Sequence, residues 1–172
     1  MDASVAIRPF AAEDAAAVRD LFIRVNRQLA PPHLSEAFEA YIERSLHEEI
    51  GRITAYYGEK RGGFWVATGE AGLLGMFGLE PSGPAAMELR RMYVDPAARR
   101  HGIARGMLAF AEEECRRRGK ASLDLSTSEL QGDALALYRG AGYQLLREEV
   151  AVSASNKTLG GGIRRYYFIK PL

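Results

Sequence analysis

Six residues, Arg99-Arg100-His101-Gly102-Ile103-Ala104, have the types and spacing to hold a phosphate. They follow the apolar run Met92-Tyr93-Val94 and the turn Asp95-Pro96, and they open an amphipathic segment. The first N–H groups of a helix lack intrahelical partners, and the helix dipole adds partial positive charge there. Gly102 lets a ligand approach the backbone, and Ala104 stays small for the same reason. Arg99, Arg100 and Arg105 would add charge-assisted contacts, about 1.5–3 kcal/mol each when desolvated. Alone, the hexapeptide fits two readings. It is a pyrophosphate cradle built on the N–H groups of about 100–105, or a helix start with solvated arginines. A Gly-Lys-Ser/Thr triplet and a Gly-x-Gly-x-x-Gly run are both missing, which argues against a P-loop NTPase and a dinucleotide fold.

The elements that must position this loop are legible in the hydrophobic periodicity. Residues 4–8 read as a short strand stopped by Pro9. Val18, Leu21, Phe22, Val25 and Leu29 share one face of a helix over 12–29, ended by Pro31-Pro32. Ser35 is the expected N-cap of a second helix, with Phe38, Tyr41, Ile42, Leu46, Ile50 and Ile53 on its apolar face and a kink at Gly51. Phe64–Thr68 and Leu73–Glu80 read as strands separated by the turn Gly69–Gly72, with another turn at Pro81–Pro84. Met87–Val94 is a central strand, which places Glu88 on the same face as Arg90, Met92 and Val94. A helix over about 102–118, a strand at 121–125, a helix over 131–140 and strands at 143–152 and 164–169 complete the chain. This order predicts one α/β domain over residues 1–172, with a mixed sheet of about seven strands and four helices.

Bulk properties narrow the function classes. A chain of 172 residues buries a core without staples. The formal net charge of +1 gives no global attraction to nucleic acid or anionic membrane, so an anion preference must be local. One cysteine, Cys115, excludes an intrachain disulfide and favours a reducing compartment. Without a leader-like start or a run approaching a membrane span, the expected location is cytoplasmic. His33, His47 and His101 lack metal-ligand spacing, so no metal is expected. Cys115 sits on the apolar face of its helix and reads as a buried, inert thiol.

A second motif, Gln131-x-x-Ala134-x-x-Leu137-Tyr138-x-x-x-Gly142-Tyr143, lies downstream of the hexapeptide. Together the two closely resemble the GNAT superfamily of acetyl-CoA-dependent N-acetyltransferases. That family's signature is Arg/Gln-x-x-Gly-x-Gly/Ala after a strand ending in Val-x-Pro. A helix with Asn-x-x-Ala-x-x-Leu-Tyr-x-x-x-Gly-Phe/Tyr then follows. Ile7-Arg8-Pro9 and Glu13-Asp14-Ala15 also look like the family's opening. One departure is Gln131, which stands where the family often has Asn and is longer by one methylene. The run Ser126-Thr127-Ser128 before it resembles a branch with Thr-Ser-x-x-Gln at this place.

The resemblance implies a reaction, a cosubstrate and residue roles. A primary amine attacks the thioester of acetyl-CoA directly, with no metal. The amine must first lose a proton, since an alkylammonium has a pKa of about 10.4. Glu88 is the first candidate base, acting through water, and Glu80 the second. The family's central strand is typically bulged and splayed from its neighbour, so Met92, Tyr93 and Val94 are expected to offer backbone groups to the pantetheine arm and the oxyanion. Arg99, Arg100, His101, Gly102, Ile103, Ala104 and Arg105 would hold the pyrophosphate, and Gln131 the pantetheine arm or the phosphates. Tyr138 would donate a proton to the leaving thiolate, whose thiol has a pKa of about 8.5.

In similar proteins the acceptor lies between the first helices and the loop before the last strand, here roughly 26–36 and 153–163. Lys157, Arg164 and Arg165 would suit a small-molecule amine bearing a carboxylate, such as an amino acid or conjugate. The alternatives are a protein lysine or N-terminal acetyltransferase, or a non-catalytic acyl-CoA-binding module. No nucleic acid or membrane partner is implied, and a homodimer is an open expectation.

Overall fold

The computed structural model describes residues 4–172. Strand β1 (Ala6–Pro9) is followed by helices α1 (Ala15–Leu29), α2 (Ser35–Glu48) and α3 (Ile53–Glu59). Three antiparallel strands come next, β2 (Gly63–Gly69), β3 (Gly72–Gly83) and β4 (Ala86–Val94). Helix α4 (Ile103–Arg117), strand β5 (Ser122–Ser128), helix α5 (Gly132–Gly140) and strands β6 (Gln144–Ala151) and β7 (Ile163–Pro171) complete the domain. Among the described residues, one sheet of order β1-β2-β3-β4-β5-β7-β6 holds the seven strands, and only β4 and β5 pair in parallel.

Strand alternation builds a core on each sheet face. Trp65, Ala67, Phe77, Leu79, Met87 and Leu89 pack under α4 and α5 with Met107, Leu108, Cys115 and Tyr138. Phe64, Val66 and Met76 point the other way, onto Val18, Leu21, Phe22, Val25, Ile42 and Tyr57 from α1–α3. Pro9 ends an edge strand, where its missing N–H leaves no ladder gap.

Three local expectations change. Ser35 does not cap α2: a 3-10 turn at Pro32–Leu34 runs straight into the helix, so Ser35 already has helical dihedrals and caps nothing. The expected kink at Gly51 is a full break, because Glu49 leaves helical space (φ −140°, ψ −65°) and a 3-10 turn follows at Ile50–Arg52. A Cβ at Gly51 would lie 2.5 Å from the Leu46 carbonyl oxygen, so the tight turn needs glycine there. Strand β3 continues through Pro81 to Gly83, leaving only Pro84 and Ala85 in the turn.

Two irregularities in β4 shape the centre of the sheet. Met76 pairs with Tyr93 but Gly78 pairs with Arg90, so Phe77 faces both Arg91 and Met92. This bulge holds Arg91 at φ 55°, a left-handed conformation rare for a side-chain-bearing residue. On the other edge, β4 pairs with β5 only at Ala86–Glu88, and the two strands then separate. The extra residue also inverts the alternation. Glu88 and Arg90 lie on the α1–α3 side, whereas Met92 and Val94 pack against the α4–α5 core. The expectation that Glu88 shares a face with Met92 and Val94 is therefore corrected.

Candidate active site

The loop after β4 arrives at α4 in an open, uncapped state. Asp95 accepts from the Ala97 N–H at 3.0 Å and from Arg24 Nη2 at 3.0 Å, which fixes the turn to α1. Arg100 then takes φ 66° and Gly102 φ 77°, both left-handed. Gly102 is the N-cap of α4, and no side chain caps the helix. The Gly106 N–H already bonds the Gly102 carbonyl, so the N–H groups of Ile103, Ala104 and Arg105 precede the helical ladder. Backbone strain and unpaired donors thus coincide where the sequence places an anion.

A long cleft runs from this loop between the separated β4 and β5. Met92, Tyr93, Val94, Arg99, Arg100, Gly102, Ile103, Ala104, Arg105, Gln131 and Tyr138 all line it. Of the predicted cofactor residues, only His101 does not; it is exposed. Arg99, Arg100 and Arg105 form no ion pair among the described residues, so their charge is available to the cleft. Gln131 sits at the N-cap of α5, and Thr127 Oγ1 donates to its Oε1 at 3.0 Å, leaving the side-chain NH2 to the cleft. The length of Gln131 is thereby taken up by Thr127.

A second, charged cavity meets the cleft end to end. Leu29, Met92, Tyr93, Gln131 and Tyr138 line both. Tyr138 lies at the junction, and its hydroxyl has no hydrogen-bond partner among the described residues. Burial pushes its phenol well above the ordinary value, so it is a neutral donor at physiological pH. Burial likewise raises the neighbouring Tyr93, with Tyr41 adding to the shift and Arg91 opposing it.

Beneath the bulge lies a charge cluster that sequence reading missed. Glu49 is fully buried and faces Arg90 Nη2 at 2.7 Å and Arg91 Nε at 3.0 Å. Tyr57 donates to the same carboxylate at 2.7 Å. Glu80, the runner-up base, is an ion-pair partner of Arg90 and accepts from Tyr56 at 3.1 Å. Burial raises the Glu49 carboxyl, but Arg91 and Arg90 outweigh it and hold the group below the usual carboxylate range. The cluster reaches the loop before β7, where Arg91 Nη2 donates to the Asn156 carbonyl at 2.6 Å. Lys157 follows, with Nζ 2.9 Å from Glu88 and 3.7 Å from Glu80. The one available sequence signal was Arg90-Arg91, two adjacent arginines inside an alternating strand, which only a bulge turns to one face.

The structure also sorts the remaining polar residues. Lys157 is paired with Glu88, and Arg164 with Glu148 on the exposed surface. Arg165 lines the charged cavity, donates to Ser126 Oγ at 2.9 Å, and has no carboxylate partner among the described residues. Burial lifts the Cys115 thiol to about 11, which keeps it protonated in the α4 core. No group of three or more His, Cys, Asp or Glu able to hold a metal occurs among the described residues. Among the described residues, no helix is long and apolar enough to cross a membrane.

Comparisons with known proteins agree with this architecture. The structure aligns with PaiA N-acetyltransferase from Thermoplasma acidophilum, solved in complex with coenzyme A, at a TM-score of 0.75 and 17% identity, covering 98% of this chain and 99% of that one. Ribosomal-protein-alanine N-acetyltransferase from Brucella melitensis aligns at 0.74 and 20% identity, covering 97% and 99%. These likenesses establish the fold. In sequence, the chain is 31% identical to N-acetyltransferase 8 of Homo sapiens over 110 residues, 60% of this chain and 48% of that protein. It is 31% identical to N-acetyltransferase 8B of Rattus norvegicus over 115 residues, 63% of this chain and 52% of the relative. The chain thus spans about half the length of the curated relatives it matches. A family model described as the acetyltransferase (GNAT) domain matches residues 60–145, half of the chain, from β2 through α5. With the splayed strands and the uncapped helix start, that match makes the chain a member of the GNAT acetyltransferase family.

Proposed function

We propose that this protein transfers the acetyl group of acetyl-CoA directly to the primary amine of a small molecule that carries a carboxylate. The observation behind this reading is the junction at Tyr138, where a cleft rich in free backbone donors and arginines opens into a charged cavity. The α4 N-terminus with Arg99, Arg100 and Arg105 holds the pyrophosphate, and the unpaired edge of β4 from Leu89 to Val94 takes the amide-bearing arm as an added strand. The thioester then lies beside Met92, Tyr93 and Tyr138.

The acceptor ammonium gives its proton to Glu88, through water, and the free amine attacks the thioester carbon. A backbone N–H at the end of β4 stabilises the oxyanion. Tyr138, neutral and without a competing partner, donates to the departing sulfur. Arg165 supports the carboxylate on the acceptor, since every other cation lining the cavity already faces Glu49, Glu80 or Glu88. Asn156–Leu159 cover one side of the cavity and are held there by Arg91, which favours a small acceptor over a peptide laid in an open groove.

The test is a panel of amino acids, amino-acid conjugates and neutral alkylamines, read by thiol release from acetyl-CoA. Carboxylate-bearing amines should be preferred. Arg165→Met should raise their KM roughly 10- to 100-fold, the loss of one charge-assisted contact, without doing so for neutral amines. Equal effects on both classes would overturn the assigned acceptor class, and binding of coenzyme A with no acetylation of any amine would overturn the transferase reading.

A further inference from the structure

Lys157 offers a primary amine inside the cavity assigned to the acceptor. Its backbone is fixed by its neighbour, because the Asn156 carbonyl accepts from Arg91 Nη2 at 2.6 Å and from Arg90 Nη2 at 3.4 Å. Arg91 is a bulge residue of β4 and Arg90 flanks it, paired with Gly78, so the loop is tied to the strand at its irregular point. Lys157 lines one cavity with Met92, Gln131 and Tyr138. Its ammonium rests on Glu88 at 2.9 Å, the carboxylate assigned to deprotonate the acceptor. The chain has three other lysines, and none lines either cavity. Lys60 lies over the Tyr56 ring, Lys120 donates to the Pro84 carbonyl, and Lys170 pairs with Glu112.

The geometry points to Lys157 as a self-acetylation site: without a small-molecule acceptor, the protein transfers the acetyl group of acetyl-CoA to its own Lys157 Nζ. This rests on the acetyltransferase reading above. The half-exposed side chain leaves Glu88 as it gives up a proton, and the Nζ lone pair attacks the thioester carbonyl carbon. The C–N bond forms and the C–S bond breaks. Two protons leave the nitrogen: one passes through Glu88 to solvent, and the other balances the proton that Tyr138 supplies to the coenzyme A thiolate. The products are an acetyl-lysine amide, coenzyme A thiol and one released proton, so no oxidant or further co-reactant is needed. The amide carries no charge, so the modified loop no longer neutralises Glu88.

The full chain is incubated with acetyl-CoA and no added amine, and followed by intact mass and peptide mapping across a range of protein concentrations. One acetyl group per chain is expected, on Lys157, with a first-order rate constant independent of concentration. Lys157→Arg should carry no label at that position, and Tyr138→Phe should slow the labelling of Lys157 at least about tenfold. An unmodified Lys157 overturns the proposal. So does label spread evenly over Lys60, Lys120 and Lys170, a rate proportional to protein concentration, or a rate indifferent to Tyr138→Phe. The amine panel is run in parallel. Turnover of the panel with Lys157 unmodified overturns self-acetylation and leaves the transferase reading intact, whereas the absence of both overturns both.

Discussion

Glu49→Gln removes the one charge that both bulge guanidiniums share. The carboxylate is fully buried, faces Arg90 at 2.7 Å and Arg91 at 3.0 Å, and accepts from Tyr57 at 2.7 Å. Glutamine keeps the shape and one acceptor oxygen but turns an NH2 group toward cationic donors. Removing one partner of a buried ion pair costs about 3–5 kcal/mol. Arg90 retains Glu80, so the main loss falls on Arg91, and we expect about 3–4 kcal/mol near neutral pH. At about 2–4 °C per kcal/mol for a domain of this size, Tm should fall by roughly 6–16 °C. The sign with pH follows from the lowered carboxyl, in which burial is outweighed by Arg91 and Arg90. Such a group stabilises fully above its unfolded pKa of about 4.3, and this contribution is lost as pH falls through the lower folded value. The gap between parent and variant should therefore close in acid. Urea unfolding across a pH series measures it. A loss under about 1 kcal/mol at neutral pH, or a gap that persists unchanged into acid, would refute the assignment of Glu49 as the charge that holds the bulge.

Tyr138→Phe should lower kcat at least about tenfold while leaving coenzyme A affinity near the parent's, and unchanged turnover under chemistry-limited conditions would remove the proton-donor role. Glu88→Gln should lose activity near neutral pH and recover as alkali deprotonates the acceptor unaided; a pH–rate profile identical to the parent's would exclude Glu88 as the base. Gly102→Val places a β-branched residue at φ 77° beside the first free N–H groups of α4, so coenzyme A affinity, read by calorimetry, should drop by about 1–2 kcal/mol or more. Parent-like affinity would show that the phosphates bind elsewhere.

The two ends of the site differed in how readable they were. The loop after β4 and the Leu137-Tyr138 motif are local: short spacings on one helix start and one helix face fix them, so eleven of the twelve residues expected to hold the cosubstrate line one cleft. Periodicity also identified the inner strands β2 to β5, because each sheet face has its own apolar set, whereas β6 is exposed over most of its length and joins neither core. Glu49 was opaque for the opposite reason. It closes a helix beside Glu48 like any solvated carboxylate, and only the break before Ile50 turns it inward, to partners some forty positions away. The inverted face of Glu88 was lost with the bulge, since one inserted residue flips all that follows. Lys157 looked like a cation free for substrate because nothing in its own segment announces a partner on β4.

The three-residue pairing between β4 and β5 divides the sheet into two leaves joined at one end. One leaf carries β1–β4 and the other β5, β7 and β6. A strand-like cosubstrate seated in that fork becomes a mechanical brace, a temporary rung tying the leaves along their open length. Loaded protein should then resist pulling and amide exchange between Leu89 and Val94 far better than empty protein. On the proposed reaction, each cycle would have to withdraw that brace as spent coenzyme, and a turnover rate that follows coenzyme release would be its signature.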